Sequence, residues 1–363
     1  MQLSSTLAFL VDAASDLPGA DRLLAGMGAR LVADGVPLAG GALTLAVPHP
    51  LIAQRTWLWR AANGEVMEAL GFVPGGLADA AAAPSPGDAG RSWLAGLAAG
   101  PLHEDRVGSQ PDGPLLSWIA SRAFEGDEID ALRQAARFAA PPLAALSARS
   151  TLTAALEAYL GRRSAARVLA GPLRRDLGET IQAALLYADL RGFTALSESN
   201  PPADVIAALD AWFDRIAGAV HVFGGEVLKF MGDGMLAIFP VVSAPRAACD
   251  AALRAVQAAR VGMVHLNDAR RKQAQPPLTF GVALHVGEIL WGNIGAADRL
   301  DFTAIGPAVN LVSRLEGLCR PLDKTVLVSG AFAAECEAAL VPLGTHALRG
   351  IATPCAVFTL PDD

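Results

Sequence analysis

The stretch Gly225–Phe239, GEVLKFMGDGMLAIF, limits the fold of this chain more than any other segment. Two apolar runs of strand length meet at Gly232-Asp233-Gly234, and Asp-Gly between alternating apolar residues is the strongest short-range hairpin signal. Turn chemistry leaves Lys229 unexplained, a cation four residues before Asp233 inside an otherwise apolar strand. An ammonium on the flank and a carboxylate at the tip of one hairpin ask for a ligand that offers both an acceptor and a positive charge.

The surrounding sequence supplies the rest of a sheet. IQAALLYADL (Ile181–Leu190) is an apolar run of strand length with Asp189 near its end, and PADVIAALDAWFDRIAGAVHVF places Val205, Leu209, Phe213, Ile216 and Val220 along one helical face. A long helix over about 245–272 is expected next, then strands in TFGVALHVGEI and LDFTAI, a helix opening at Pro307, and a closing pair of strands. Strands alternating with helices around one hairpin predict an α/β fold, an α+β sandwich on one mixed sheet.

Residues 1–145 have a different texture, rich in Ala, Gly and Pro, with weakly patterned loops such as Gly71–Gly90. A leading helix (about 3–33), strands at Gly41–His49, Arg55–Ala61 and Leu115–Phe124, and a helix opening at GDEIDALRQAARF are expected there. This order faintly resembles the GAF family of sensory domains, carried only by the last strand and helix, and a dimerisation module without a ligand fits equally. Residues 146–180 read as a helical linker with Leu152, Leu156, Tyr159 and Leu160 at helical spacing, interrupted at Gly161 and Gly171-Pro172. Such a segment suits a signalling linker or a plain connector.

The 363 residues allow roughly two domains of about 150 each. Apolar residues make up 52% and charged residues 18%, ample for packed cores, yet no uncharged apolar run reaches the roughly 18 residues of a membrane helix. The N-terminus lacks the basic start of a signal peptide, so a cytoplasmic protein is expected. A net charge of −7 argues against a nucleic-acid-binding protein. Cys249, Cys319, Cys336 and Cys355 show neither CxxC pairing nor metal spacing and read as reduced thiols. His285 reads as a core or hydrogen-bonded histidine, and no zinc spacing appears among the six histidines.

A strand-end Asp189 and a hairpin-tip Asp233 can each be a cap or a solvated carboxylate. On neighbouring strands they can instead converge on a hard cation, since Mg²⁺ is commonly held by one or two carboxylates plus substrate phosphates. Glycines 192, 232 and 234 would let backbone approach a triphosphate closely. Gly306-Pro307 is a good helix start, and i,i+4 spacing then puts Asn310 and Arg314 on one face. An arginine so placed can stabilise a transferring phosphoryl group, or simply pair with Glu316 or Glu288.

YADLRGFTALSE (Tyr187–Glu198), GGEVLKFMGDGMLAIF (Gly224–Phe239) and RLDFTAIGPAVNLVSRLE (Arg299–Glu316) together resemble the class III nucleotidyl cyclase catalytic domain over about residues 181–360. The resemblance implies a palm-like, ferredoxin-type mixed sheet and a homodimer with composite sites. It implies that Asp189 and Asp233, with Leu190 beside them, hold two Mg²⁺ or Mn²⁺ ions. Lys229 and Thr303 would read the purine, Phe193 and Thr194 would line the substrate site, Asn310 would orient the ribose, and Arg314 would stabilise the transition state. Arg349 in ALRGI matches a further triphosphate contact, while an arginine often found near the strand of Thr279 is missing. Many ATP-using members carry aspartate where this chain has Thr303, and guanylate cyclases tend to carry Glu and Cys at the Lys229 and Thr303 positions. A lysine donates to purine N1, an acceptor in adenine and a donor in guanine. The expected function is therefore adenylate cyclase acting on ATP, regulated by the N-terminal half through an unknown signal. The alternatives are guanylate cyclase or a catalytically silent nucleotide sensor.

Overall fold

The computed structural model describes residues 4–47, 52–72, 87–108, 113–171, 178–296 and 298–363. They fall into two compact units, Met1–Ala154 and Ala155–Asp363.

In the first unit the leading segment is two helices, α1 (Ser5–Asp12) and α2 (Ala20–Ala33). The expected single helix breaks at Pro18-Gly19, where proline bars the helical region to the residue before it. Then come β1 (Leu38–Ala46), β2 (Ile52–Arg60), β3 (Val66–Phe72), α3 (Asp88–Ala95), β4 (Leu102–Arg106), β5 (Leu115–Ala120), α4 (Gly126–Phe138) and the start of α5 (Ala140–Leu160). The strands form an antiparallel sheet in the order β3-β2-β1-β5-β4. Leu23, Leu24 and Met27 of α2, Trp59, Trp118 and Leu132 of α4 make one core, and Leu94 of α3 packs with Ala42, Leu58 and Ile119 in a second. The expected strand end at His49 and most of the expected loop 71–90 lie outside the described residues.

The second unit holds the end of α5 and then α6 (Arg162–Ala170), set off by Gly161 at φ +80°. Glu226 Oε1 accepts from Ser164 N at 2.9 Å and from Ser164 Oγ at 2.6 Å, at the first turn of α6. Arg167 pairs with Glu179 at 2.6 Å and lies 4.5 Å over the Trp291 ring. Then follow β6 (Gly178–Arg191), α7 (Phe193–Ser199), α8 (Pro202–Val222), β7 (Glu226–Met231), β8 (Gly234–Pro240), α9 (Pro245–Lys272), β9 (Thr279–Gly295), β10 (Leu300–Ile305), α10 (Pro307–Glu316), β11 (Val326–Ser329), α11 (Gly330–Glu335), β12 (Val341–His346) and β13 (Cys355–Thr359).

The sheet order is β12-β13-β11-β9-β6-β8-β7, with β10 paired to β9. It is mixed, because β11 runs parallel to β9 while the other pairs are antiparallel. Helices α8 and α9 bury Trp212, Ile216, Cys249, Val256 and Met263 against one face, and α10 buries Val312 and Leu315 against the other. The buried face of α8 is Val205, Ala208, Trp212, Ile216, Ala219 and Val220. Leu209 and Phe213, expected inside, are only partly buried, because the face turns on Trp212. Among the described residues no helix is long and apolar enough to cross a membrane.

His285, in the middle of β9, is 8% exposed and its Nδ1 lies 2.8 Å from Ser329 Oγ. Burial drives its pKa down to about 4. An unfolded histidine takes up its proton near pH 6.5, whereas the folded one resists until about pH 4, so the unfolded state binds the proton first as pH falls. Stability from this group is fully present above about pH 6.5 and is lost progressively toward pH 4, by up to about 3 kcal/mol. Denaturant midpoints measured from pH 7.5 to 4.5 should fall less steeply in His285→Asn than in the parent. Parallel slopes would show that His285 is not the group.

Candidate active site

Asp189 stands at the end of the central strand β6, opposite Gly234 of β8 on one side and Gly281 of β9 on the other. Neither neighbour has a side chain to cover it. A Cβ on Gly234 would lie 3.2 Å from Tyr187 Oη and 3.4 Å from Asp189 Oδ1, and one on Gly281 would collide with Glu316 Oε1. The two glycines thus leave a cradle around the carboxylate. Asp233 is presented into this cradle by the tight turn between β7 and β8, where Gly232 adopts φ +66°. The turn is pinned from below by Trp212, whose Nε1 donates to the Asp233 carbonyl at 3.2 Å.

The electrostatics are strongly one-sided. The Asp189 carboxyl is pushed up to about 7, first by burial, then by the Asp233 and Glu316 charges. Glu316 is raised by its own burial, an effect that Arg191 opposes and Asp233 reinforces. The Tyr187 hydroxyl is raised by burial and then by Asp189, Glu316 and Asp233. Asp189 Oδ1 is buried without a hydrogen-bond partner. Ionised carboxylates facing each other with an orphaned buried oxygen are the situation a divalent cation relieves. Among the described residues no three His, Cys, Asp or Glu side chains close into a metal cage. A pair of carboxylates left open for substrate phosphates is how Mg²⁺ is ordinarily bound, so the residues present fit that ion.

On the flank of the same hairpin a bulge between Val227 and Lys229 interrupts the β7–β8 register. Lys229 Nζ lies 3.8 Å from Asp301 Oδ2 on β10, the strand that also carries Thr303. Thr303 is 4% exposed and its hydroxyl has no partner. The structure thus brings Lys229 beside the strand of Thr303, as it brings Asp233 to Asp189.

Other expected residues stand apart. Leu190 is buried in the core, so only its backbone is open to a ligand. Phe193 and Thr194 begin α7 after Gly192 at φ +73°, Phe193 partly buried against the core and Thr194 exposed. Asn310 and Arg314 are both exposed on α10, whose Ala308, Val312 and Leu315 face inward. Among the described residues no ion pair involves Arg314, and Glu316 turns toward Asp233 and Arg191 instead. Arg349 is exposed in the turn between β12 and β13. Among the described residues no hydrogen bond or ion pair joins the Asp189/Asp233 pair to Asn310 or Arg314. Reading the sequence missed Glu316, Trp212 and Asp301. Their only signal was proximity in sequence to the motifs.

The mixed sheet is flanked by helices and carries two neighbouring carboxylates, Asp189 and Asp233, at the end of its central strand. Residues 178–344 match the family model of the adenylate and guanylate cyclase catalytic domain. Adenylate cyclase 1 of Rhizobium meliloti is 31% identical over 175 residues, covering 48% of this chain and 26% of that protein. The adenylate cyclase of Anabaena cylindrica is 30% identical over 149 residues, covering 40% of this chain and 29% of that protein. The chain thus spans under a third of the length of either relative. A bacterial light-regulated adenylyl cyclase structure shares the fold, with a TM-score of 0.53 at 21% identity over 72% of this chain and 86% of that one.

Proposed function

We propose that this chain is an adenylate cyclase, converting ATP to 3′,5′-cyclic AMP and pyrophosphate at sites composed by two copies, with the N-terminal unit regulating it. The observation that carries the reading is the Asp189–Asp233 pair set between Gly234 and Gly281, with Lys229 on the same hairpin. In the reaction the ribose 3′-oxygen loses its proton and bonds to the α-phosphorus, and the bond from that phosphorus to the bridging oxygen of pyrophosphate breaks. Asp189 and Asp233 would hold two Mg²⁺ or Mn²⁺ ions, which when bound acidify the hydroxyl and neutralise the triphosphate. Gly234 leaves the Asp189 carboxylate uncovered on the side of the hairpin, and Gly281 leaves space for the Glu316 side chain behind it. Lys229 donates to adenine N1, and Thr303 offers its free hydroxyl to the same base edge. Asn310 orients the ribose and Arg314 stabilises charge on the α-phosphoryl group, both contributed by the partner copy. Leu190 lends its backbone beside the carboxylates, Phe193 and Thr194 border the phosphates, and Arg349 contacts the triphosphate.

Chromatography of products from purified protein with Mg²⁺ or Mn²⁺ tests the reading: cyclic AMP and pyrophosphate from ATP are expected. Cyclic GMP formed in preference would make it a guanylate cyclase, and no product from either nucleotide would make it a silent sensor. Base choice gives a sharper check. Replacing Lys229 by Glu together with Thr303 by Cys inverts hydrogen-bond polarity, leaving groups unpaired against adenine. The ratio of kcat/KM for ATP over GTP should fall by about tenfold or more, and an unchanged ratio would remove Lys229 and Thr303 from base reading.

A further inference from the structure

The base-reading strands carry an acidic group that the proposed function does not use. Asp301 and Thr303 lie two apart on β10 and so share a face. Phe302 between them packs edge-on against Trp291, with ring centroids 5.4 Å apart. The bulge on β7 falls where Lys229 meets β10, and bulges of this kind re-aim a side chain. Asp301 Oδ2 and Lys229 Nζ are 3.8 Å apart, with side chains 58% and 33% exposed. A pair so exposed adds little to stability. The separation exceeds a direct hydrogen bond, so neighbouring acceptor and donor atoms of one ligand edge can bond to the ammonium and the carboxylate respectively.

Thr303 cannot by itself discriminate between purines. A hydroxyl accepts from the 6-amino group of adenine as readily as it donates to the 6-oxo group of guanine. An ionised carboxylate only accepts, so it favours the amino group and repels the oxo group.

We propose that Asp301 is a specificity-determining residue: its carboxylate positions the Lys229 ammonium and presents the acceptor-only edge that selects adenine over guanine. This deepens the adenylate cyclase reading and rests on it.

The test compares the parent with Asp301→Asn, Asp301→Ser and Asp301→Glu. One readout is kcat/KM for ATP, GTP and inosine triphosphate, which has the 6-oxo edge of guanine without its 2-amino group. The second is the calorimetric Kd of 3′-deoxy-ATP and 3′-deoxy-GTP, which lack the attacking hydroxyl and stay intact. The preference for adenine should fall about tenfold in Asp301→Asn and Asp301→Ser by both readouts. Asp301→Glu should recover most of it, inosine triphosphate should behave as GTP does, and the melting temperature should not move. The proposal is overturned if both neutral variants keep the parent preference within about twofold. It is equally overturned if ATP and GTP lose affinity together, or if inosine triphosphate behaves as ATP does. A parent that makes cyclic GMP in preference sinks the adenylate reading itself. A parent that makes cyclic AMP while the variants keep its preference sinks only the role of Asp301.

Discussion

Asp189→Asn should abolish turnover and leave the fold no less stable. Mutating the groups that merely orient metal ligands costs roughly 10–100-fold, so removing a ligand charge should cost more than about 100-fold in kcat/KM. The stability half of the expectation follows from the same site. The Asp189 carboxyl, held at about 7 by burial and by the neighbouring acids, is harder to ionise in the folded chain than in the unfolded one. Without divalent ions, raising pH from about 5 to 8 ionises it against that resistance and lowers stability. Asn carries no charge to strand there. In EDTA at pH 8 the variant should therefore melt at or above the parent temperature, and lowering the pH toward 5 should move the parent upward relative to the variant. Melting curves at two pH values, alongside cyclase assays in saturating Mg²⁺, check both halves. A variant that keeps most of its activity would refute the role of Asp189 as a ligand.

Asp233→Ala and Arg314→Ala proteins should each be inactive alone and should regain activity when refolded together. The carboxylates and the Asn310/Arg314 pair are both present on every chain, and Arg314 lies exposed on α10 with no ion pair among the described residues. In a two-fold dimer each composite site takes its carboxylates from one copy and its Asn310 and Arg314 from the other. A mixed dimer then gathers both lesions into one site and leaves the second intact. Random pairing makes about half the dimers mixed, so roughly a quarter of parental sites should return. The specific activity of mixtures, with subunit exchange followed by differently tagged copies, measures this. Mixtures that exchange subunits and stay inactive would place the whole site within one chain.

How much of this was legible depended on local chemistry. The hairpin was readable because Gly232 can adopt the left-handed φ of +66° that the tight turn requires, and α9 opens at Pro245 as a proline-started helix should. Strands β6 and β9 run beyond their apolar cores, because each supplies the other's hydrogen-bond partners from Gly178–Gly292 to Arg191–Thr279. Strands β3 and β4 escaped notice because they are the edges of their sheet, mostly exposed and, in Leu102–Arg106, heavily charged. In the sequence Glu316, like Glu288, stands as an alternative surface partner for Arg314. Two residues further along a helix is a rotation of about 200°, which carries it toward the carboxylates instead. Asp189 and Asp233 were visible as strand-end and turn residues, yet only the register that sets Asp189 opposite Gly234 brings the turn residue Asp233 beside it.

The Ser164–Glu226 contact gives α6 a preferred phase. Turning that helix by one residue swings Ser164 through about 100°, and Glu226, only 4% exposed, would then lose both of its donors. A buried carboxylate without a donor costs on the order of 1–3 kcal/mol or more, so intermediate rotations are poorly populated. Because Glu226 begins the strand that carries Lys229 and leads to Asp233, α6 is latched to that strand at one phase, as a detent holds a dial, rather than through a continuously adjustable spring.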